Sequence, residues 1–200
     1  MSSGSQNITR SPLGKQEARF LAEMGPHVLF SIEEAREALG HKLSDPTRQF
    51  LERLRQKGWI QRIRRGRFAV IPLSSGQERT PQLHEFLIAM QLVDPAAIAY
   101  WSALNHHGMT EQLPRTVYVA TNHPVHKSHW ETLGFSFKII SLSPSKFFGV
   151  ARDWMNEQSF QITDREKTIV DGLDLPQYIG GVGEIAKALI TTWAQLNEAK

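Results

Sequence analysis

A single stretch from Asp45 to Ile71, DPTRQFLERLRQKGWIQRIRRGRFAVI, constrains the fold of this chain more than any other part of the sequence. Phe50, Leu51 and Leu54 fall on one side of a helix, because residues three and four apart share a helical face. Gly58 is suited to end that helix, since glycine readily adopts the left-handed conformation that follows helix ends. The stretch therefore predicts a helix that packs its apolar side on a core and turns a polar side outward.

A basic hairpin is predicted immediately after this helix. Residues 59–60 and 68–71 are short apolar runs of the strand type, and the segment between them, RRGR at 64–67, has a glycine where a tight turn needs one. A helix followed directly by a hairpin with arginines at its tip is the outline of a winged helix-turn-helix. In that fold the helix enters a groove of DNA and the wing contacts the adjacent phosphates.

The elements that precede the stretch agree with this outline. An amphipathic helix is predicted over residues 15–25, a short apolar strand over 28–30 and a second helix over 31–40. Ser31 and Glu34 have the spacing of a capping box, which marks the start of the second helix. Each local signal supports the same order of elements, and that agreement favours the winged helix-turn-helix.

The outward side of the third helix supplies candidates for contacts with base edges. Arginine suits guanine and glutamine suits adenine, each through two hydrogen bonds, so Arg48, Gln49 and Arg53 are the first choices. The complete set of predicted base-reading residues is Thr47, Arg48, Gln49, Glu52, Arg53 and Gln56.

Positive charge is concentrated around the predicted wing. A basic helix face alone is often merely solvated. Several arginines around one glycine turn, however, repel each other, and bound phosphates reduce this repulsion. Residues 1–80 carry 14 Lys and Arg against 8 Asp and Glu, a net charge of +6, whereas the rest of the chain carries −3. We expect the wing to contact phosphate or the minor groove, and such contacts fix the register of the protein on the DNA and not its sequence preference. The predicted wing contacts are Arg62, Arg64, Arg65 and Arg67.

The chain is predicted to contain two domains of an α+β fold. The polar segment 73–81 is bounded by prolines and contains glycine and serine, which is typical of a linker. It separates a winged helix-turn-helix domain at 13–72 from a larger mixed α/β domain at 82–200, and residues 1–12 are expected to form a flexible tail.

Helices and strands are both predicted in the second domain. The last helix is expected to turn Ile185, Leu189 and Trp193 inward. The predicted helices are 83–93, 95–108, one opening at 163–166, and 182–196, and the predicted strands are 116–121, 135–142, 147–151 and 160–162.

Composition excludes several classes of protein. With 40% apolar residues, five Trp and ten Phe, the chain has enough apolar surface to form a core. The absence of cysteine excludes disulfides, thiolate metal sites and cysteine nucleophiles, and it suits the reducing cytoplasm. No signal peptide and no apolar run of about 18 residues is present, so no membrane association is expected.

Three segments together resemble the AbiEi family, the antitoxins of AbiE toxin–antitoxin systems. They are the wing sequence RRGRFAVI, the segment AIAYWSALNHHGMTEQLPRTVYVAT and the later TDREKTIVDGL, and the resemblance extends over nearly the whole chain from about residue 15. The more specific motif residues lie in the second domain and are Ser102, His107, Asp164, Arg165, Glu166 and Asp171.

The resemblance implies a transcriptional repressor of its own operon, with the first domain on inverted-repeat DNA. It also implies that the second domain neutralises a nucleotidyltransferase-like toxin, in a type IV system that needs no stable complex with the toxin. It favours monomers, or a weak dimer, that bind DNA cooperatively.

Two clusters of polar residues suggest other chemistry. His123, His126 and His129 repeat at three-residue spacing, but the run contains a proline and follows a strand, so a loop is favoured over a metal site. Asp164 and Asp171, with the nearby Glu166 and Lys167, could form a nuclease cluster, but a helix start explains Asp164 and Glu166 more simply, with Arg165 bridging to Asp171. We therefore predict no catalytic residue, no metal and no cofactor.

Two alternative functions remain open beside the repressor with antitoxin activity. One is a stand-alone regulator whose second domain binds a protein or a small ligand. The other is a metal-dependent nuclease that uses the winged helix for targeting.

Overall fold

The structure is a computed structural model that describes residues 11–25, 28–71, 83–155 and 157–196. The chain divides into two compact units, Met1–Gln82 and Leu83–Lys200, and both combine helices with a β-sheet. The α+β class is therefore confirmed. The predicted linker, 73–81, and residues 1–10 of the predicted tail lie outside the described residues.

The first unit contains three helices and a three-stranded antiparallel sheet with the strand order β1-β3-β2. The second helix begins as the capping box predicts, because the Ser31 hydroxyl accepts from Glu34 N at 3.1 Å while the Glu34 carboxylate accepts from Ser31 N at 2.6 Å. The elements are α1 (Lys15–Met24), β1 (Leu29–Ser31), α2 (Ile32–Ala38), α3 (Ser44–Gln56), β2 (Ile60–Arg64) and β3 (Arg67–Val70).

Four phenylalanines hold α3 against the other elements of the first unit. Phe20 of α1 packs edge-on against Phe30 of β1 and Phe50 of α3, with ring centroids 5.7 and 5.3 Å apart. Phe30 also stacks on Phe68 of β3 at 5.6 Å. All four are buried, and such aromatic pairs add stability beyond their buried area. The orientation of α3 is thus set by one compact aromatic core.

The residues just before α1 are attached to the end of α3. The indole nitrogen of Trp59 donates to Ser11 O at 3.1 Å, and Lys57 Nζ donates to Pro12 O at 3.2 Å. Lys57 Nζ also reaches the Glu17 carboxylate at 2.7 Å. The hydrogen bonds from Lys57 and Gly14 hold the pKa of Glu17 below its ordinary value, although burial opposes them. Ser11 and Pro12, the last two residues of the predicted flexible tail, are therefore in contact with the residues that follow α3.

The second unit is built on a six-stranded mixed sheet with the strand order β6-β7-β5-β4-β9-β8. The pairs β5·β7 and β4·β9 are parallel, and the others are antiparallel. No helix in the described part of the chain is long and apolar enough to cross a membrane. The elements are α4 (Glu85–Ala89), β4 (Ala97–Ile98), α5 (Tyr100–His106), β5 (Thr116–Thr121), β6 (His129–Thr132), β7 (Phe135–Ser141), β8 (Val150–Met155), β9 (Gln158–Thr163), α6 (Arg165–Asp174) and α7 (Val182–Thr192).

The helix predicted over 95–108 is wrong in its first half. Ala97 and Ile98 form the short central strand β4 instead, and α5 begins only at Tyr100. Both strand residues are fully buried and pair with β5 on one side and β9 on the other. An apolar run has no period that distinguishes a buried strand from a buried helix, so only these long-range pairings decide it.

Helices α5, α6 and α7 share one core of Leu104, Ile169, Ile179 and Ile185. Helix α6 approaches this core through Gly172, where an added Cβ would lie 2.9 Å from Ile179 Cδ1. The inward prediction for the last helix is confirmed for Ile185, which is fully buried. It is wrong for Trp193, which is 58% exposed. The α-helix ends at Thr192 and Trp193 lies in the short 3₁₀ turn that follows, so the helical period no longer sets the direction of its side chain.

Candidate nucleic-acid interface

The outward side of α3 carries the polar side chains that the sequence predicts there. Arg48, Gln49, Glu52, Arg53 and Gln56 are all exposed, opposite the buried face that packs on the phenylalanine core. Their outward position is confirmed by the structure. Since α3 is anchored along its whole buried face, this surface is presented on a rigid element.

Thr47 does not belong to this surface. It is 0% exposed, and its hydroxyl lies 2.9 Å from Nδ1 of His41 in the turn between α2 and α3. Thr47 precedes Phe50 and Leu51 by three and four residues, so it shares their inward face. The prediction that Thr47 reads bases is therefore corrected: it ties the turn to α3. Its spacing to the apolar residues was the signal that sequence reasoning missed.

Two ion pairs neutralise part of the α3 surface. Arg48 Nη1 lies 3.0 Å from Asp45 Oδ1, and Arg55 makes two hydrogen bonds to the Glu52 carboxylate at 2.6 and 2.9 Å. The hydrogen bonds from Arg55 hold the pKa of Glu52 below its ordinary value, and the same contact raises the pKa of Arg55. Exposed ion pairs of this kind contribute about 0–1 kcal/mol to folding stability. An anionic ligand can therefore take the place of either carboxylate beside its arginine.

The tip of the β2–β3 hairpin is fixed against the start of α2. Gly66 adopts a positive φ of 77° in the turn, and its carbonyl accepts a hydrogen bond from Ile32 N at 2.9 Å. Arg64 and Arg67 lie opposite each other on the two strands that flank this turn. Arg65, at the tip itself, is exposed. The hairpin thus holds its arginines at a defined place beside α2 and α3.

A groove of about 770 Å³ lies between α3, the start of α2 and the hairpin, and we call it the arginine groove. It contains four guanidinium groups and two carboxylates, so its charge is positive. Arg62 lies near enough to Glu52 to lower the pKa of that carboxyl further. The lining residues are Ile32, Glu33, Arg48, Leu51, Glu52, Arg62, Arg64, Arg65, Gly66 and Phe68.

The predicted contact residues are not all brought together in the arginine groove. Gln49, Arg53, Gln56 and Arg67 do not line it. The Arg53 guanidinium lies on the opposite flank of α3, 5.8 Å from the centroid of the Phe50 ring, where its charge also helps to lower the pKa of Glu17. The α3 surface therefore has two flanks, one facing the hairpin and one facing α1.

Three of the motif residues of the second unit hold α5 to the sheet and to α6. The Ser102 hydroxyl accepts from Tyr118 N of β5 at 2.9 Å, and His107 Nε2 donates to Thr163 O of β9 at 2.7 Å. Arg165 Nη2 donates to the carbonyl of His107 at 3.3 Å. These contacts connect neighbouring elements, so their observed role is structural.

The other motif residues lie on or next to α6. The Asp164 carboxylate caps the helix by accepting from Lys167 N at 2.8 Å, and Glu166 lies in the first turn. Asp171 forms a buried ion pair with Lys167, so the predicted bridge from Arg165 to Asp171 is wrong. Burial raises the pKa of Asp171 although Lys167 opposes this effect. The half-exposed Phe148 ring covers Lys167 Nζ at 4.5 Å.

We expect His107 to make folding stability depend on pH. Burial lowers the pKa of its imidazole below the ordinary value, so the unfolded chain binds more protons than the folded one just below about pH 6.5. The free energy of unfolding should therefore decrease as the pH falls from about 7 to about 5. In His107→Gln, whose amide can still donate to Thr163 O, the decrease should be smaller. Urea denaturation of both proteins at several pH values measures it, and equal decreases would rule out His107 as the source.

The three histidines of the 123–129 run are not gathered in one site. His129 begins strand β6, which is not among the strands predicted from the sequence, and its Nε2 lies 2.8 Å from Lys138 Nζ. Among the described residues, no group of three or more His, Asp or Glu side chains is arranged to hold a metal ion.

No protein-family model matches the sequence, and no curated protein matches it either. The chain is similar to a solved structure, the crystal structure of the RV2827C protein from Mycobacterium tuberculosis, with a TM-score of 0.61 and 18% sequence identity. The similarity covers 98% of this chain and 72% of that chain. At this identity the similarity shows a shared fold.

Proposed function

We propose that this chain is a sequence-specific repressor of transcription that binds double-stranded DNA through its first unit, a winged helix-turn-helix domain. In this proposal α2 and α3 form the helix-turn-helix, α3 enters the major groove, and the β2–β3 hairpin is the wing. The arginine groove is the observation that carries the proposal, because guanidinium groups from a helix and from a hairpin line one surface. A duplex presents phosphates along both edges of its groove, which suits cations on two elements.

Different side chains serve affinity and specificity in this proposal. Arg62 and Arg65 project from the hairpin and contact phosphates, so they act on every sequence alike. Arg48 and Gln49 reach base edges, where arginine suits guanine and glutamine suits adenine. Glu52, beside Arg62 in the arginine groove, accepts from the amino group of cytosine.

The resemblance to AbiEi proteins supports a second part of the proposal. The second unit neutralises a nucleotidyltransferase-like toxin without a stable complex, and the repressor acts on an inverted repeat in its own promoter. Four of the six motif residues bond to backbone atoms around α5 and α6, and Asp171 forms an ion pair with Lys167 within α6, so these five maintain the fold of the unit. The four are Ser102, His107, Asp164 and Arg165. Expression of a nucleotidyltransferase encoded by a neighbouring gene should inhibit bacterial growth, and co-expression of this chain should restore growth. If the wild-type chain does not restore growth, this part of the proposal is wrong.

Selection of duplexes from a random pool, followed by fluorescence anisotropy, tests the DNA-binding proposal. The wild-type chain should enrich a defined sequence and bind it more tightly than an unrelated duplex. Gln49→Ala should lose about 1–3 kcal/mol of preference at one base pair while its affinity for unrelated DNA stays the same. A wild-type chain that enriches no sequence and binds no duplex would overturn the proposal.

A nuclease assay separates the proposal from the enzymatic alternative. Labelled duplex incubated with the protein and magnesium or manganese should remain intact. Cleavage that is lost in Asp164→Asn would show that the chain is an enzyme and would replace the repressor as the conclusion.

A further inference from the structure

Three polar side chains form a row across one face of the sheet in the second unit. Tyr118 of β5, Lys138 of β7 and His129 of β6 are register partners on neighbouring strands, so they lie side by side on the same face. Tyr178, in the 3₁₀ turn Pro176–Tyr178 that follows α6, lies over this row. Its ring centroid is 6.1 Å from that of Tyr118 and 5.9 Å from Lys138 Nζ. We call these four side chains the tyrosine–lysine site.

The positive charge of Lys138 is not neutralised by any carboxylate in the described part of the chain. Its Nζ lies 2.8 Å from His129 Nε2 and 3.3 Å from Ser128 Oγ. An ammonium can donate only to an unprotonated ring nitrogen, so both acceptors are uncharged. Glu131, the acidic residue of β6, lies in the next row of the sheet, opposite Ser136. The site therefore has a net positive charge.

The two carboxylates of α6 that lie near the site already have cations of their own. Asp174 forms an ion pair with Lys146 at 2.8 Å, and Asp171 forms the buried pair with Lys167. Lys138 differs from these two lysines in having only uncharged partners. An anion bound at Lys138 therefore does not have to displace a carboxylate.

A buried tyrosine beside the site has a hydroxyl without a partner. Tyr100, at the start of α5, is 0% exposed, and its hydroxyl has no hydrogen-bond partner among the described residues. Its ring packs edge-on against Tyr178, with the ring centroids 5.5 Å apart. Its φ of 53° is rare for an aromatic residue, and such backbone strain is found most often at functional sites. A buried donor normally has an acceptor, so we expect a ligand oxygen to supply the one that Tyr100 lacks.

Burial keeps two of these phenols protonated. It raises the pKa of Tyr118 above the ordinary value, and the neighbouring Tyr178 adds to the rise. Burial also raises the pKa of Tyr100, and the two carboxylates of α6 described above, together with Tyr178, raise it further. Both hydroxyls are therefore hydrogen-bond donors at neutral pH, as a ligand made of acceptor oxygens requires.

We propose that the tyrosine–lysine site binds the phosphate group of a small molecule. A phosphate monoester carries a charge of about −1.5 to −2 at neutral pH and has three strong acceptor oxygens, whereas a carboxylate has two. Lys138 contacts the charge, and the three tyrosine hydroxyls donate to the oxygens. Lys138 and Tyr118 are only partly exposed, so the site admits one such group and not an extended nucleic-acid strand. This inference concerns the second unit and does not depend on DNA binding by the first.

Isothermal titration calorimetry of the full chain in phosphate-free buffer tests the site. Inorganic phosphate and phenyl phosphate should each bind one to one. Tighter binding of phenyl phosphate identifies a phosphate monoester as the ligand, since its ring can contact the tyrosines, and equal binding identifies free phosphate. Benzoate should bind at least about 10-fold more weakly than phenyl phosphate, because it offers one acceptor oxygen and one charge fewer. A wild type that binds neither phosphate at millimolar concentration, or that binds benzoate equally well, overturns the proposal.

Lys138→Gln should weaken the binding of phenyl phosphate by about 10- to 100-fold, because it removes a charge-assisted hydrogen bond. Lys127→Gln is the matched control with the same loss of charge. Lys127 Nζ lies 4.3 Å from the centroid of the Trp130 ring, and Trp130 follows His129 on β6, so it faces the other side of the sheet. Lys127→Gln should bind as the wild type does. An equal loss in both variants would mean that net charge alone attracts the phosphate, which contradicts the proposed site.

Tyr100→Phe separates a ligand contact from a structural role. The hydroxyl has no partner among the described residues, so its removal should leave the free energy of unfolding in urea unchanged. The same variant should bind phenyl phosphate about 3- to 10-fold more weakly, because one neutral hydrogen bond to the ligand is lost. Unchanged affinity, or a loss of stability without a loss of affinity, would contradict the proposal.

Discussion

Lys167→Met should destabilise the second unit by about 3–5 kcal/mol, because it leaves the Asp171 carboxylate buried without its cation. Both residues are 3% exposed, and Asp171 Oδ2 has no hydrogen-bond partner among the described residues. Methionine keeps the Cβ and Cγ atoms that pack on Gly149. Urea denaturation followed by circular dichroism measures the loss.

The double variant Lys167→Met with Asp171→Leu is the control for this prediction. It removes both charges and should recover most of the lost stability, since apolar residues of similar volume often replace a buried ion pair without cost. In the single variant the defect should shrink at acidic pH, where protonation neutralises Asp171. A single variant as stable as the wild type at pH 7 would show that the pair is solvated.

The double variant Arg62→Ala with Arg65→Ala should bind every duplex about 100-fold more weakly at low salt, if each guanidinium makes one charge-assisted contact with phosphate. The slope of log affinity against log salt concentration should become shallower by about 2, because two fewer counterions are released. Fluorescence anisotropy titrations at several salt concentrations measure both quantities.

The matched control removes two arginines from another surface of the same unit. Arg19 and Arg36 are exposed on α1 and α2 and do not line the arginine groove. Arg19→Ala with Arg36→Ala loses the same formal charge, yet it should leave the salt slope nearly unchanged. If both double variants lose affinity equally, the effect comes from net charge alone and the hairpin makes no specific contact.

The first unit could be predicted closely because its signals are local. The Ser31–Glu34 capping box, the three-and-four spacing of Phe50, Leu51 and Leu54, and Gly66 at a turn each fix one element from a few neighbouring residues. The exposed polar side of α3 followed from the same periodicity. The same periodicity also corrects Thr47, because its spacing of three and four residues to Phe50 and Leu51 places it on the buried side, where its hydroxyl has His41 as a partner.

The second unit could be predicted only in part because its decisive contacts are long-range. Strand β4 has two residues and forms between strands that are distant in sequence, and β6 is an exposed edge strand with a polar sequence. Neither gives a periodic signal. The partner of Asp171 was also missed, although Lys167 stands four residues before it on α6, at the spacing of a helical ion pair.

The attachment of Ser11 and Pro12 has a consequence for the amino end of the chain. Trp59 and Lys57 lie 48 and 45 residues further along the sequence, just past the last turn of α3. Removing residues 11–17 would therefore take away the Glu17 partner of Lys57 and both backbone acceptors at once. The carboxyl-terminal end of α3 would then fray first. A truncation far from the arginine groove would therefore make the orientation of α3, which lines that groove, less well defined.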